Sequence, residues 1–200
     1  IDFWKSHQSK NYELGTTPSI LYAGRIGPGI ETSLETIAKA IEKVNIQFSR
    51  TVKFILQTKD KPLWVDTYNC VTHKAMVPYE ELPRVFAEAD FLYLPYDFSD
   101  ESIRFIKYSM PTKAPEYMIS GTPVIMFGPG ETALMKDGQR NNWAKVVTEN
   151  NVEALAEAIN TLITNDALRK ELAENAIRIA EANYNSVKIR NEFKEVISSL

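Results

Sequence analysis

The chain has 200 residues and a mass of 22.7 kDa, the size of one ordinary domain or at most one and a half. Its 44% hydrophobic and 24% charged residues, with 10 Pro and 8 Gly, exclude a collagen-like chain, low-complexity disorder and a disulfide scaffold. Basic and acidic residues number 23 and 26, a net charge of −3, which leaves no electrostatic footprint for wrapping duplex DNA, so no nucleic-acid partner is expected.

Residues 1–18 show no sustained period and end in a Thr-Thr-Pro turn, so they read as an inter-domain segment leading into the fold. SILYA (Ser19–Ala23) is a short apolar run between Pro18 and Gly24, as expected of a buried strand. The loop GRIGPG follows. Thr32 and Glu35 have the spacing of a capping box, ahead of Leu34, Ile37, Ala38, Ile41 and Val44 at helical spacing. TVKFILQ (51–57) is a second strand, and the stretch 59–69 is ambiguous, with a short helix from Pro62 as one reading. A third strand is expected around 70–73, then a short helix through YEELPRVFAEAD with Pro83 in its first turn. FLYLP (91–95) is a fourth strand, and the pattern then breaks from Tyr96 to Met110 into a functional loop, alone or with a short element.

Thr112 is expected to cap a helix running to Ser120, with Pro115 in its first turn and Gly121 as its stop. PVIMF and WAKVVT give the fifth and sixth strands, separated by the helical piece ETALMKDG. Asn150 and Glu153 suggest a second capping pair, ahead of an apolar stripe from Val152 to Ile163. Asp166 opens a further helix to about Asn183, and a last one fills residues 186–200. Strands that are continuously apolar and alternate with helices predict a parallel sheet covered on both faces. The fold class is therefore α/β: a doubly wound sheet of about six strands over residues 19–185, with a separate C-terminal helix at 186–200.

In such a sheet, ligands bind beyond the carboxyl ends of the strands. GRIGPG lacks the spacing of a dinucleotide fingerprint and the Lys-Ser/Thr ending of a P-loop. Gly24 still lets a ligand approach the backbone, and Arg25 can grip a phosphate with two donors. A tight turn with a surface arginine accounts for the same residues. Thr112 and Lys113 put a hydroxyl and an ammonium at a helix start, where free amides and the dipole favour an anion. Glu116, one turn on, is either a solvated helical acid or an acceptor for a ribose diol. Asp97, Asp100 and Glu101 are candidates for acid–base work, or simply solvated loop acids.

Cys70 stands alone, which points to a reducing compartment and so to a cytoplasmic location, and it is by default a small buried residue. His7 and His73 are far apart in sequence, so no metal site is expected. No run of about 18 apolar residues is present, so no transmembrane span is expected. There is no signal-peptide pattern. A first residue that is not Met suggests a lost start or a beginning inside a longer protein.

Several spaced segments resemble one family in the right order. IDF, SILYAGRI, VPYEELPRVFAEADFLYLPY, EYMISGTPVI and VTENNVEALAEAI are similar to the C-terminal, donor-binding domain of GT-B glycosyltransferases of family 4, the group 1 transferases. The resemblance covers nearly the whole chain and implies one Rossmann-like half of a GT-B fold. It also implies a retaining transferase acting in surface polysaccharide or glycoconjugate synthesis, with a nucleoside diphosphate sugar as donor, UDP or GDP first, and no required cofactor. Glu116 would bind the ribose hydroxyls. Gly24, Arg25, Thr112 and Lys113 would face the diphosphate, and Met76 and Val77 would line the base pocket.

The family's first signature Glu is replaced by Tyr108, so the sugar-contacting carboxylate is absent or comes from Asp97, Asp100 or Glu101. The missing Lys-Gly after Gly-Arg resembles the subgroup with a Pro-Ser/Thr-Lys loop. Two facing domains need roughly 300–400 residues, so the partner expected here is a missing N-terminal acceptor domain. Peripheral attachment at the inner membrane face is expected of the intact enzyme. The rival readings are a GT-B nucleotide-sugar epimerase and a scaffold with a decayed donor site. A flavodoxin-type signalling domain fits less well, because no acidic cluster follows the first strand.

Overall fold

The computed structural model describes residues 2–8 and 12–199. The parts of the inter-domain segment at 1 and 9–11, and Leu200 of the last helix, lie outside the described residues. Six strands form one parallel sheet: β1 (Ser19–Ala23), β2 (Lys53–Gln57), β3 (Val71–Lys74), β4 (Phe91–Pro95), β5 (Val124–Phe127) and β6 (Lys145–Val147), in the order β3-β2-β1-β4-β5-β6. The chain winds outward from β1 in one direction and then returns to β4 to wind in the other. The crevice where this reversal occurs lies between the carboxyl ends of β1 and β4.

The continuous apolar strands are explained by two separate cores. Ile20, Tyr22, Phe54, Leu56, Phe91 and Tyr93 face one side, where α2 (Glu31–Gln47) and α7 (Val152–Thr164) pack. Leu21, Ala23, Leu92, Leu94, Val124 and Met126 face the other. That side is covered by α3 (Leu82–Glu88), α5 (Lys113–Ser120), α6 (Ala133–Asn141) and α8 (Asp166–Asn183). Alternation is lost because neither face meets water.

The first residues are not wholly irregular. Asp2–Lys5 form a helical turn, α1, held by Trp4, whose ring stacks on Phe86 at 5.4 Å. The expected loop from Tyr96 contains α4 (Asp100–Ile106), capped by Ser99. The last helix, α9 (Ser186–Ser198), buries none of its residues.

Three predicted caps are corrected. Thr32 and Glu35 form no capping box: α2 has no side-chain cap from its own chain start, and Glu35 instead accepts from the Tyr68 hydroxyl at 2.8 Å. At α7 the cap is Asn151 rather than Asn150; it accepts from Glu153 and Ala154 amides at 2.7 and 3.2 Å. Glu153 is left free to pair with Lys43 across the α2–α7 contact. Thr112 sits at the start of α5 but caps nothing. A capping oxygen needs the N2 or N3 amide. Here the N3 residue is Pro115, which has no N–H, and the Ala114 amide already donates to Pro111 O at 2.9 Å.

Candidate functional site

The site is built from loops at the carboxyl edge of the sheet. Gly24 and Arg25 follow β1, Thr58–Pro62 follow β2, Met76 and Val77 follow β3, and the first turn of α5 closes in from the other face. Gly24 has φ of 152°, a backbone conformation that side chains disfavour. A Cβ there would also displace the Lys113 ammonium from its present position. The lysine therefore passes over the Gly24 backbone.

The Lys113 ammonium lies 4.0 Å from the Tyr22 ring centroid and 5.9 Å from that of Tyr117. Among the described residues it makes no ion pair and no hydrogen bond. Burial pulls its pKa down from the usual lysine range to about 8, opposed by the nearby Glu116 charge. For Glu116, burial raises the pKa, opposed by the Lys113 charge and by the Tyr79 hydroxyl, which donates to Oε1 at 3.5 Å. A cation and an acid, both partly desolvated and one turn apart, thus face the same edge.

Arg25 is exposed and free of ion pairs among the described residues. It lines a cavity of about 550 Å³ together with Lys59, Lys61, Thr58, Pro62 and Met76. Three basic side chains from two loops line this cavity, with Lys61 paired to Asp66, and with Asp60 and Glu31 also on the rim. Val77 lines a different recess of about 330 Å³, with Leu21, Ile55 and Gln57. Consecutive residues after β3 thus face separate spaces. The sequence reading missed Lys59 and Lys61, although two lysines directly after a strand's carboxyl end are a visible signal. Tyr22 and Tyr79 were also missed, being indistinguishable from core aromatics in the linear pattern.

The acid candidates go elsewhere. Asp97 is 8% exposed and accepts from the Ser33 amide at 2.8 Å and the Thr32 amide at 3.4 Å. It is the cap that α2 lacks locally, supplied from the end of β4. Replacing it with Ala is expected to lower stability by about 1–2 kcal/mol, with Asn recovering part of the loss, as read from thermal melting. Asp100 and Glu101 lie in the exposed first turn of α4, and Tyr108 is 87% exposed just beyond that helix. None of these four makes an ion pair or hydrogen bond with Arg25, Lys113 or Glu116. His73 Nε2 is 3.0 Å from the Thr58 hydroxyl, a satisfied edge histidine. Cys70 is buried, with its thiol pKa pushed up to about 11 by burial. Among the described residues no group of three or more His, Cys, Asp or Glu side chains is placed to hold a metal ion, and no helix is long and apolar enough to cross a membrane.

Sheet order and two-faced helix cover define a Rossmann-like domain of the kind that forms the C-terminal half of GT-B glycosyltransferases. The chain belongs to the family "Glycosyl transferases group 1", whose profile matches residues 17–165. No curated protein sequence matches it. Among solved structures, it is similar to the C-terminal domain of a glycosyl transferase group 1 family protein (LpcC) from Francisella tularensis, with a TM-score of 0.64, 14% identity and 92% of each chain covered. WaaG, a glycosyltransferase involved in lipopolysaccharide biosynthesis, gives a TM-score of 0.64 at 18% identity, over 90% of this chain and 49% of that one. Anabaena Alr3699/HepE, solved in complex with UDP and glucose, gives 0.62 at 20% identity, over 92% and 49%. At these identities the likeness is one of fold. The chain spans about half the length of the last two proteins.

Proposed function

We propose that this chain is the donor-binding half of a retaining GT-B glycosyltransferase of family 4, in the Pro-Ser/Thr-Lys-loop subgroup, and that its donor is a nucleoside diphosphate sugar. The observation that carries the proposal is the Lys113 ammonium, partly desolvated, in no direct ion pair among the described residues, held over Gly24 and one turn from Glu116. A diphosphate supplies a negative charge in direct contact with it. Arg25, Lys113 and the dipole of α5 then stabilise the charge that builds on the diphosphate as the bond to the sugar's anomeric carbon breaks, with no obligatory metal. Glu116 accepts from the ribose hydroxyls. Met76 and the cavity beside it take the base. The acceptor belongs to the opposing N-terminal domain, and the assembled enzyme works in the cytoplasm, at the membrane face where surface glycans are built. The bound UDP of HepE and the biosynthetic role of WaaG support UDP and a surface polysaccharide as first candidates.

The test is nucleotide-induced thermal stabilisation by UDP, GDP, ADP, CMP and dTDP. One nucleotide at about 100 times its dissociation constant is expected to add about 2.7 kcal/mol. In Glu116→Ala the affinity is expected to fall at least tenfold while the unliganded melting temperature is kept. The chain by itself is expected to bind nucleotide without transferring sugar. No shift with any nucleotide at millimolar concentration, in this chain and in the two-domain protein, overturns the reading in favour of a scaffold.

A further inference from the structure

We propose that Tyr22 is a positioning residue of this site: its ring seats the Lys113 ammonium, its hydroxyl anchors the Arg25 carbonyl, and one side chain thereby sets both cations against the diphosphate. The inference rests on the donor-site reading above and goes beyond it, because Tyr22 is buried and acts through Lys113 and Arg25.

Tyr22 is 2% exposed and belongs to the core on the α2 side of the sheet. Lys113 begins α5, whose Ala114 and Tyr117 lie in the core on the opposite side. The ammonium therefore reaches across the sheet's carboxyl edge to the Tyr22 ring, at 4.0 Å from the centroid. The passage it uses is the space that a side chain on Gly24 would fill. A lysine chain is long and freely rotating, so a fixed seat is needed to hold its charge in one place. The negative face of an aromatic ring supplies such a seat without neutralising the charge, as a carboxylate would.

The hydroxyl has a separate role. Packing alone is satisfied by Phe, and a phenol on a buried strand costs stability unless its hydroxyl is bonded. Here it donates to Arg25 O at 2.6 Å. That bond fixes the peptide that leads out of β1 and so fixes where the Arg25 side chain starts. Ring and hydroxyl act on different cations, which makes the two parts separable by substitution.

The experiment compares wild type, Tyr22→Phe and Tyr22→Leu. The first readout needs no ligand: the proton shifts of the Lys113 Cε methylene in lysine-labelled protein, assigned by their loss in Lys113→Met. An ammonium seated over the ring places these protons upfield in wild type and in the Phe variant, and near ordinary lysine values in the Leu variant. The second readout is affinity for UDP, GDP and inorganic pyrophosphate, against uridine and guanosine. Tyr22→Leu is expected to weaken diphosphate binding about five- to tenfold and to leave nucleoside binding within twofold. Tyr22→Phe is expected to weaken diphosphate binding about threefold with the Lys113 shift unchanged. If the Leu variant does not fold, the wild-type shift and the Phe variant still decide the case. An unshifted Lys113 methylene in wild type, or diphosphate affinity unchanged in both variants, overturns the proposal. A wild type that binds no diphosphate refutes the donor-site reading before any variant is made.

Discussion

Lys113→Met is expected to cut nucleotide-induced stabilisation to half or less and, at neutral pH, to raise the melting temperature of the unliganded protein. The two effects share one cause. Burial has lowered the lysine pKa to about 8, so the folded state holds the ammonium at a cost, on the order of 1–3 kcal/mol after allowing for solvent screening. Met has a similar length and no charge, so it removes the cost. It also removes a charge-assisted contact to the diphosphate, about 1.5–3 kcal/mol, or roughly a 10- to 150-fold loss of affinity. Stability exchanged for function in this way is the mark of a binding group rather than a structural one.

The pH dependence has a definite sign. Lys113 titrates near 8 when folded and near 10.5 when unfolded. Below about pH 8 both states are charged, and the folded protein bears the full cost. Between 8 and 10.5 the unfolded chain binds more protons, so the contribution of this residue to stability rises with pH. The advantage of Lys113→Met is therefore expected to be largest below pH 8 and to vanish by about pH 10.5. Nucleotide affinity is expected to move the opposite way in wild type, falling as pH rises past about 8 and the ammonium is lost. Glu116, Tyr22, Tyr79, Tyr117 and Arg25 are the charged and titratable groups around this position. Melting curves and titration calorimetry between pH 6.5 and 10 read both trends. A melting temperature in Lys113→Met no higher than wild type at pH 7 contradicts the assignment.

Arg169→Met is expected to produce the opposite profile, with a large loss of stability and an intact site. Arg169 is 5% exposed and donates to Leu162 O at 2.7 Å, Ile163 O at 3.0 Å and Tyr12 O at 2.9 Å. It closes the carboxyl end of α7 and ties the segment before β1 to it. Burial pulls its pKa below the usual arginine value, and Asp166 and Asp90 oppose that shift. Met fills the space but leaves three carbonyls without their donor. The expected cost is about 2–4 kcal/mol, or a melting temperature roughly 5–15 °C lower for a domain of this size. The residue lies at the amino edge of the sheet, beside Asp90 and Pro123. Nucleotide-induced stabilisation is therefore expected to keep its wild-type size. A lysine side chain would retain the charge but not the planar fork of donors, so Arg169→Lys is expected to fall between wild type and Arg169→Met.

The strands and helices were legible because both depend on short-range pattern. Apolar runs bounded by Pro18 and Gly24, or ending at Pro95, report burial directly, and helical spacing from Leu34 to Val44 does the same. Parallel order followed from alternation, and the family from spaced motifs. Lys113 and Glu116 were visible because they lie in one such motif, one turn apart on α5. Caps were less legible. Asn151 was missed by one position, and Thr112 was misassigned because its capping function depended on Pro115 lacking an amide.

By itself, the sequence determined the elements, their layering and the placing of Lys113 and Glu116 in the first turn of one helix. Tertiary structure decided which distant groups meet there. Asp97 became the cap of α2 because β4 lies beside β1, which places its end against the Ser33 amide, 64 positions away. Tyr22 became a seat for Lys113 because Gly24 leaves open the edge between two cores. Tyr79 reached Glu116 across 37 positions because α5 packs beside the segment that follows β3. Periodicity records whether a residue is buried, and it is blind to partner and direction. Those depend on strand order and on how each face is covered, which exist only once the sheet has formed.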